Sequence, residues 1–197
     1  MEIILSTRNT SKIKEIHALL AGLPFDIRSL DDVGITGTSP ETGTTLEENA
    51  LQKALFAWGP TQKWSMSDDT GIFIDARDGW PGVHTGTWAG NGLPVEEFMR
   101  RILYEIRDVP AFDRVAVFKT VAAVVAPCGT HMFFTGEIHG TLLSEPRTAS
   151  RPMMPYSSLF VPDGYSKALA EMSIEEENAL SHRGLAFRQV RAFFETI

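Results

Sequence analysis

The sequence predicts a mixed α/β or α+β fold on a central sheet, and three observations predict it. Strand-like and helix-like segments are intermixed along the chain instead of being segregated into blocks. Apolar residues make up 43% and charged residues 22%, an ordinary globular balance. At 197 residues the chain suits one domain or a two-lobed unit, long enough to bury a real core. No repeat, low-complexity tract or linker divides it.

Each element has a local reason. Glu2-Ile3-Ile4-Leu5-Ser6 reads as a short buried strand rich in β-branched residues. Thr7-Arg8-Asn9-Thr10-Ser11 is a polar turn into a helix, where Ile13, Ile16, Leu19 and Leu20 recur three or four apart and Gly22 marks the end. Residues 25–30 alternate like a strand, and 31–43 form a turn-rich connection. Thr45 and Glu48 have capping-box spacing and open a helix to about residue 58. Trp64-Ser65-Met66-Ser67 leads into Asp68-Asp69-Thr70-Gly71, which fits turn chemistry, with a strand over 72–74 beyond it. Gly79-Trp80-Pro81-Gly82 is a turn, and 94–107 a helix with Phe98, Ile102 and Ile106 on one side. Residues 115–126 and 132–138 read as strands, with Gly136 and Gly140 marking a bulge or bend. Residues 146–158 are irregular; Ser173 and Glu176 form another capping box, and a last helix spans about 184–194.

Bulk properties exclude several functions. A net charge of −7 argues against binding a nucleic acid polymer, which needs a basic surface, but not against a small anion. The single cysteine, Cys128, excludes an internal disulfide framework and a cysteine zinc site, and is expected as a small core residue. No apolar run approaches the roughly 18 residues that span a membrane. Met1-Glu2-Ile3-Ile4-Leu5-Ser6 lacks a basic start and a long apolar stretch, so the chain is expected in the cytoplasm without a membrane partner.

Three segments carry chemistry. At Thr7-Arg8-Asn9-Thr10-Ser11-Lys12 a strand runs into a helix N-terminus, whose amides favour an anion; Thr7, Asn9 and Ser11 add neutral donors, and Arg8 and Lys12 add charge. A capped helix start with solvated cations fits the same residues. Asp68-Asp69 pairs two carboxylates of the kind magnesium takes, and one could orient or deprotonate water; an ordinary turn fits as well. Glu41 is a further loop carboxylate. His182-Arg183 at a helix entry can grip a phosphate or a base edge, or simply follow a cap.

Together these segments resemble the inosine/xanthosine triphosphate pyrophosphatase family, in order along nearly the whole chain. Ser6 to Glu15 is similar to its T-G-N-x-x-K-x-x-E, and Glu41-Thr42-Gly43-Thr44-Thr45-Leu46-Glu47-Glu48-Asn49-Ala50 to its E-x-G-x-T-F-x-E-N-A, with Lys53-Ala54 in register. Asp68-Asp69-Thr70-Gly71, Pro81-Gly82-Val83-His84, Gly136, Gly140, Pro146-Arg147, Pro162-Asp163-Gly164-Tyr165, Ala170-Glu171-Met172 and Ser181-His182-Arg183 continue the match. The resemblance implies an α/β fold over 1–197, a mixed central sheet forming two lobes with a nucleotide cleft between them, and a homodimer. It implies magnesium-dependent hydrolysis of a nucleoside triphosphate to a monophosphate and pyrophosphate, clearing deaminated or modified purine nucleotides. Thr7, Asn9 and Lys12 would hold the triphosphate. Glu41 and Asp69 would bind Mg2+ with Asp68 close by, and Asp69 would serve the attacking water. Thr70, His182 and Arg183 would line the nucleotide.

The departures cluster on the base side. The family's F-G-[YW]-D is here Met154-Pro155-Tyr156-Ser157; its Lys before S-H-R is Glu177; Arg8 replaces a Gly, and Thr87 stands where Arg is frequent. An ionised Glu177 can only accept a hydrogen bond, so an amino-bearing or otherwise modified base is expected to be favoured over a 6-oxo base. The competing expectation is a nucleotide-binding regulatory protein without turnover. A structural or interaction module is a third.

Overall fold

Alternation along two long strands organises the structure. In the computed structural model, which describes residues 1–90, 93–150 and 154–197, Trp64–Ile74 (β3) and Val115–Val125 (β5) pair antiparallel, from Ser65 opposite Val125 to Ile74 opposite Ala116. On one side of β3 lies Glu2–Leu5 (β1), parallel to it and to Asp26–Ser29 (β2). On the other side His131–Leu142 (β6) follows β5, and Phe160–Pro162 (β7) pairs the end of β6, both antiparallel. The two-residue Pro81–Gly82 (β4) pairs the end of β3. The sheet is therefore mixed, in the order β2-β1-β3-β5-β6-β7.

Successive strand residues point to opposite faces, and the helices follow that rule. Ala122 and Val124 of β5 face Ile16 of Thr10–Leu19 (α1) and Phe187, Val190 and Phe194 of His182–Phe194 (α5). Val121, Ala123 and Val125 face Leu46, Ala50 and Ala54 of Leu46–Thr61 (α2). Farther along the same strands, Ile72, Ile74, Ala116 and Phe118 join Phe98 and Ile102 of Val95–Glu105 (α3) and Tyr156, Leu159 and Phe160 in a separate core. β3 and β5 run through both cores, and the site lies between them.

Several expectations hold in detail. Thr45 Oγ1 accepts from the Glu48 amide at 3.1 Å, and the Glu48 carboxylate accepts chiefly from the Thr44 amide and hydroxyl. At Ile174–Leu180 (α4) the capping box is complete, with Ser173 and Glu176 satisfying each other's amides. α2 runs past residue 58, because Pro60 falls in its last turn, and Gln62 ends it in a left-handed conformation at φ 51°.

Other expectations need correction. Asp68 to Gly71 is not a turn before a strand but the middle of β3, because flanking apolar residues bury both ends of an uninterrupted ladder. Gly136 and Gly140 mark neither bulge nor bend, since the β5–β6 register passes through both without a break. They allow close approach: a Cβ at Gly136 would lie 2.6 Å from the Ala186 amide nitrogen of α5, and one at Gly140 would lie 2.6 Å from the Phe160 ring. Within the irregular stretch, Pro155–Ser158 is a 3-10 turn, 151–153 lie outside the described residues, and β7 follows unforeseen. Cys128 is exposed in the β5–β6 turn and not in the core, because the chain reverses there between Ala126 and Thr130.

Gly136→Ala is expected to lower stability by about 1–3 kcal/mol through overpacking against α5. Gly86→Ala, where nothing lies within 4 Å, should stay within about 0.5 kcal/mol of the parent. Urea denaturation of both variants checks the contrast.

Candidate functional site

The chain leaves β1 into an anion-shaped corner. Asn9 caps α1 with extended backbone, its Oδ1 accepting from the Ser11 and Lys12 amides at 3.0 and 3.2 Å. Thr7 Oγ1 accepts from the Asn9 amide at 3.2 Å, which folds the loop back on itself. The helix start, with its partial positive charge, follows the C-terminal end of β1 and lies beside the middle of β3, where Lys12 meets Asp68.

The adjacent aspartates on β3 face opposite ways, and each meets a lysine. Asp68 turns toward α1 and α5. Its carboxylate is fully buried, 2.9 Å from Lys12 Nζ and 3.4 Å from Arg183 Nε. Arg183 also reaches Glu15 at 2.5 Å and donates to Thr70 Oγ1 at 3.3 Å, and Thr70 in turn meets Thr120 at 2.8 Å. Asp69 turns toward α2, where Lys53 Nζ lies at 2.5 Å and Asn49 Nδ2 at 3.4 Å. Lys53 also lies 3.8 Å from Glu41, so Glu41 and Asp69 share one ammonium.

Burial alone would raise the Asp68 carboxyl, but Lys12 and Arg183 outweigh it and hold that group well below the usual carboxylate range. Burial pushes Lys12 down, with Lys53 and Arg183 adding to the push against the pull of Asp68. Burial, then the Arg183 charge, keeps His182 neutral far below its ordinary value. Its ring stacks on Phe118 with centroids 4.7 Å apart and planes 11° from parallel. Burial also pushes the Tyr156 hydroxyl up, and that oxygen accepts from Trp88 Nε1 at 2.9 Å.

These groups border one cleft of about 700 Å³. Thr7, Arg8, Asn9, Lys12, Glu41, Asp69, Thr70, Met154, Tyr156, Ser157, Glu177, His182 and Arg183, all singled out from the sequence, line it. Asp68 does not; it sits behind the wall, where it holds Lys12 and Arg183. Arg8 lines the cleft, and its guanidinium donates to the Ile35 and Gly37 carbonyls. Ser157 Oγ donates to the Met154 carbonyl at 2.7 Å, and Glu177 is buried in the wall at 4% exposure. Sequence reasoning missed Lys53, Asn49 and Glu15 as site residues. The signal was there: Asn49 and Lys53 are four apart on a helix face otherwise made of Leu46, Ala50, Ala54 and Ala57, an improbable place for a lysine without a partner.

The donor set fits a hard divalent cation. Magnesium takes one or two carboxylates and completes its shell with phosphate and water oxygens. Glu41 and Asp69 already bracket a single cation, Lys53. Asp68, expected close to the ion, faces Lys12 and Arg183 behind the wall and stands outside this pair. No three His, Cys, Asp or Glu side chains converge among those residues, so a cation here would depend on oxygens brought by substrate and solvent.

A sequence profile described as the Ham1 family matches residues 3–193. The chain is 38% identical to a dITP/XTP pyrophosphatase of Geobacter sulfurreducens, over 93% of this chain and 92% of that protein. It is 38% identical to a dITP/XTP pyrophosphatase of Porphyromonas gingivalis, over 98% and 96%. Its fold superposes on the structure of a HAM1 protein from Coxiella burnetii with a TM-score of 0.89 at 29% identity, covering all of both chains. On the Staphylococcus aureus Ham1 protein the TM-score is 0.87 at 25% identity, over 100% and 99%.

Asp68→Asn should cost about 3–5 kcal/mol at pH 7, because it leaves Lys12 and Arg183 buried without their counter-charge. The folded-state value of Asp68 is depressed, so its contribution is complete above the unfolded value of about 3.9 and fades as pH falls below it. Urea denaturation of parent and variant should therefore show a gap that is full near neutrality and narrows in acid.

Proposed function

The chain belongs to the Ham1 family, and from that membership we infer that its cleft is the active site of a nucleoside triphosphate pyrophosphatase. The enzyme hydrolyses a nucleoside triphosphate between its α- and β-phosphates, releasing a monophosphate and pyrophosphate and so removing unwanted purine nucleotides. One observation supports the assignment most strongly: the α1 cradle and the Glu41–Lys53–Asp69 cluster border the same hollow.

In this reading the polyphosphate lies against the α1 N-terminus, with Asn9 fixing the loop and Lys12 offering its ammonium. Water attacks the α-phosphorus, the bond to the bridging oxygen breaks, and pyrophosphate leaves with that oxygen. Asp69 takes the water's proton, and Lys53 and Asn49 orient its carboxylate for the task. Glu41 and Asp69 would hold Mg2+, with Asp68 behind them. When bound, the ion supplies positive charge to the phosphate oxygens. Neutral His182, stacked on Phe118, and Tyr156 frame the other end of the cleft, where a base would rest.

Buried Glu177 brings an acceptor to that end, beside Met154 and Ser157. This supports a base preference shifted from 6-oxo purines toward amino-bearing or modified ones. We also read 1–197 as a single two-lobed catalytic domain that acts as a cytoplasmic homodimer; among the described residues no helix is long and apolar enough to cross a membrane.

Asp69→Asn is expected to lower pyrophosphate release from a triphosphate by about 10²–10⁴-fold. Nucleotide at a hundredfold excess over Kd should still stabilise this variant by about 2.7 kcal/mol. Full turnover by the variant would refute the base, and the absence of turnover by the parent would favour a binding protein. For the base, rates with ITP, dITP, XTP, ATP and dATP under one condition should show the amino-bearing nucleotides at least matching ITP. A strong ITP/XTP preference would rule out the shifted pocket.

A further inference from the structure

The connection between β2 and α2 carries Glu41, and Arg8 of the loop before α1 reaches its middle. Arg8 belongs to the α1 cradle, yet its Nη1 donates to the Gly37 carbonyl at 2.5 Å and its Nη2 to the Ile35 carbonyl at 2.7 Å. Its Nε lies 3.5 Å from Asp31 Oδ1. The first part of the connection has other anchors: Val33 and Ile35 pack against Ile4, Leu30 and Ala57, and the Ile35 amide donates to Leu30. The last part is tied to α2, through Thr42 to Gln52 and Gly43 to Asn49. Between these ends, among the described residues, hydrogen bonds and ion pairs reach 36–41 only from Arg8, at Gly37, and from Lys53, at Glu41. Thr38, Ser39 and Glu41 of this span line the cleft.

We propose that Arg8 is a positioning residue that ties the Glu41 connection to the phosphate cradle, so that Glu41 stands over Asp69 ready to share a divalent cation. The planar fork of a guanidinium suits this role, because it spans two carbonyls from one stem, whereas an ammonium offers a single point. Gly37 takes part through its left-handed backbone, at φ 85°, where a side chain would be strained. The tether also assigns Arg8 a task other than direct contact with phosphate. The proposal rests on the reading of Glu41 as a metal-binding carboxylate.

The test compares the parent with Arg8→Met, which keeps the stem, and Arg8→Lys, which restores one donor. In the parent, amide order parameters at Thr36, Gly37, Thr38, Ser39 and Glu41 should lie near the rigid value of about 0.85, and in Arg8→Met they should fall below about 0.6. The magnesium concentration giving half-maximal pyrophosphate release from ITP should rise about tenfold or more, as when an outer-shell partner of a metal ligand is lost. The ITP KM at saturating magnesium should move less, and Arg8→Lys should fall between the two. Unchanged order parameters, or an unchanged magnesium requirement, overturn the proposal. A raised KM at saturating magnesium with unchanged order parameters also overturns it, assigning Arg8 to the phosphates. If the parent releases no pyrophosphate, the functional reading fails, while the relaxation measurement still decides whether the tether exists.

Discussion

The site depends on the buried pairing of Asp68 with Lys12 and Arg183. This carboxylate sits in the middle of the central strand and binds a cation from the first helix and another from the last. Removing two cations and a carboxylate from water is expensive, and the arrangement is tolerable only because each charge finds partners: Glu15 answers Arg183, and Thr70 accepts from it. The consequence is geometric. β3, α1 and α5 cannot shift relative to one another without stranding a charge, and this wall presents Lys12 and Arg183 to the cleft.

One residue along, the same strand produces a different environment. Asp69 points to the other face, toward α2, and remains accessible to the hollow beside Lys53 and Glu41. Two chemically identical neighbours thus stand in different surroundings, one behind the wall and one on the cleft, because strand side chains alternate. The asymmetry extends to the opposing loops. The cradle before α1 is folded by its own Asn9 and Thr7, whereas the connection bearing Glu41 leans on Arg8 and Lys53. Another part of the cleft wall is built differently again, from aromatic packing: Phe118 on His182, and Tyr156 held by Phe98 and Trp88.

Much of this was legible residue by residue. Thr45 and Ser173 were read as caps, and both start helices where their side chains accept amides, a local property that needs no tertiary context. The chemistry-bearing segments were also legible, because polar clusters interrupting apolar runs stand out. The errors share one cause. Asp68-Asp69 looks like a turn, Gly136 and Gly140 look like bends, and Cys128 looks like a core residue when only neighbours in sequence are considered. Each was decided by what lies across the sheet: apolar flanks that extend β3, α5 and Phe160 pressing on the glycines, and a chain reversal that exposes the thiol.

The sequence by itself determined most of the helices and the cores of the long strands, since propensity, periodicity and caps act over a few residues, but not β7 or the run of β3 through Asp68 to Gly71. It also determined the family, through motifs ordered along the chain. Only the tertiary structure decided the partners. Lys12 meets Asp68 across 56 positions, Arg183 meets it across 115, and Arg8 reaches Gly37. Charges are expensive to bury and so choose their counter-charges by position in space. Such pairings separate a buried carboxylate from one that lines the cleft, and no local pattern records them.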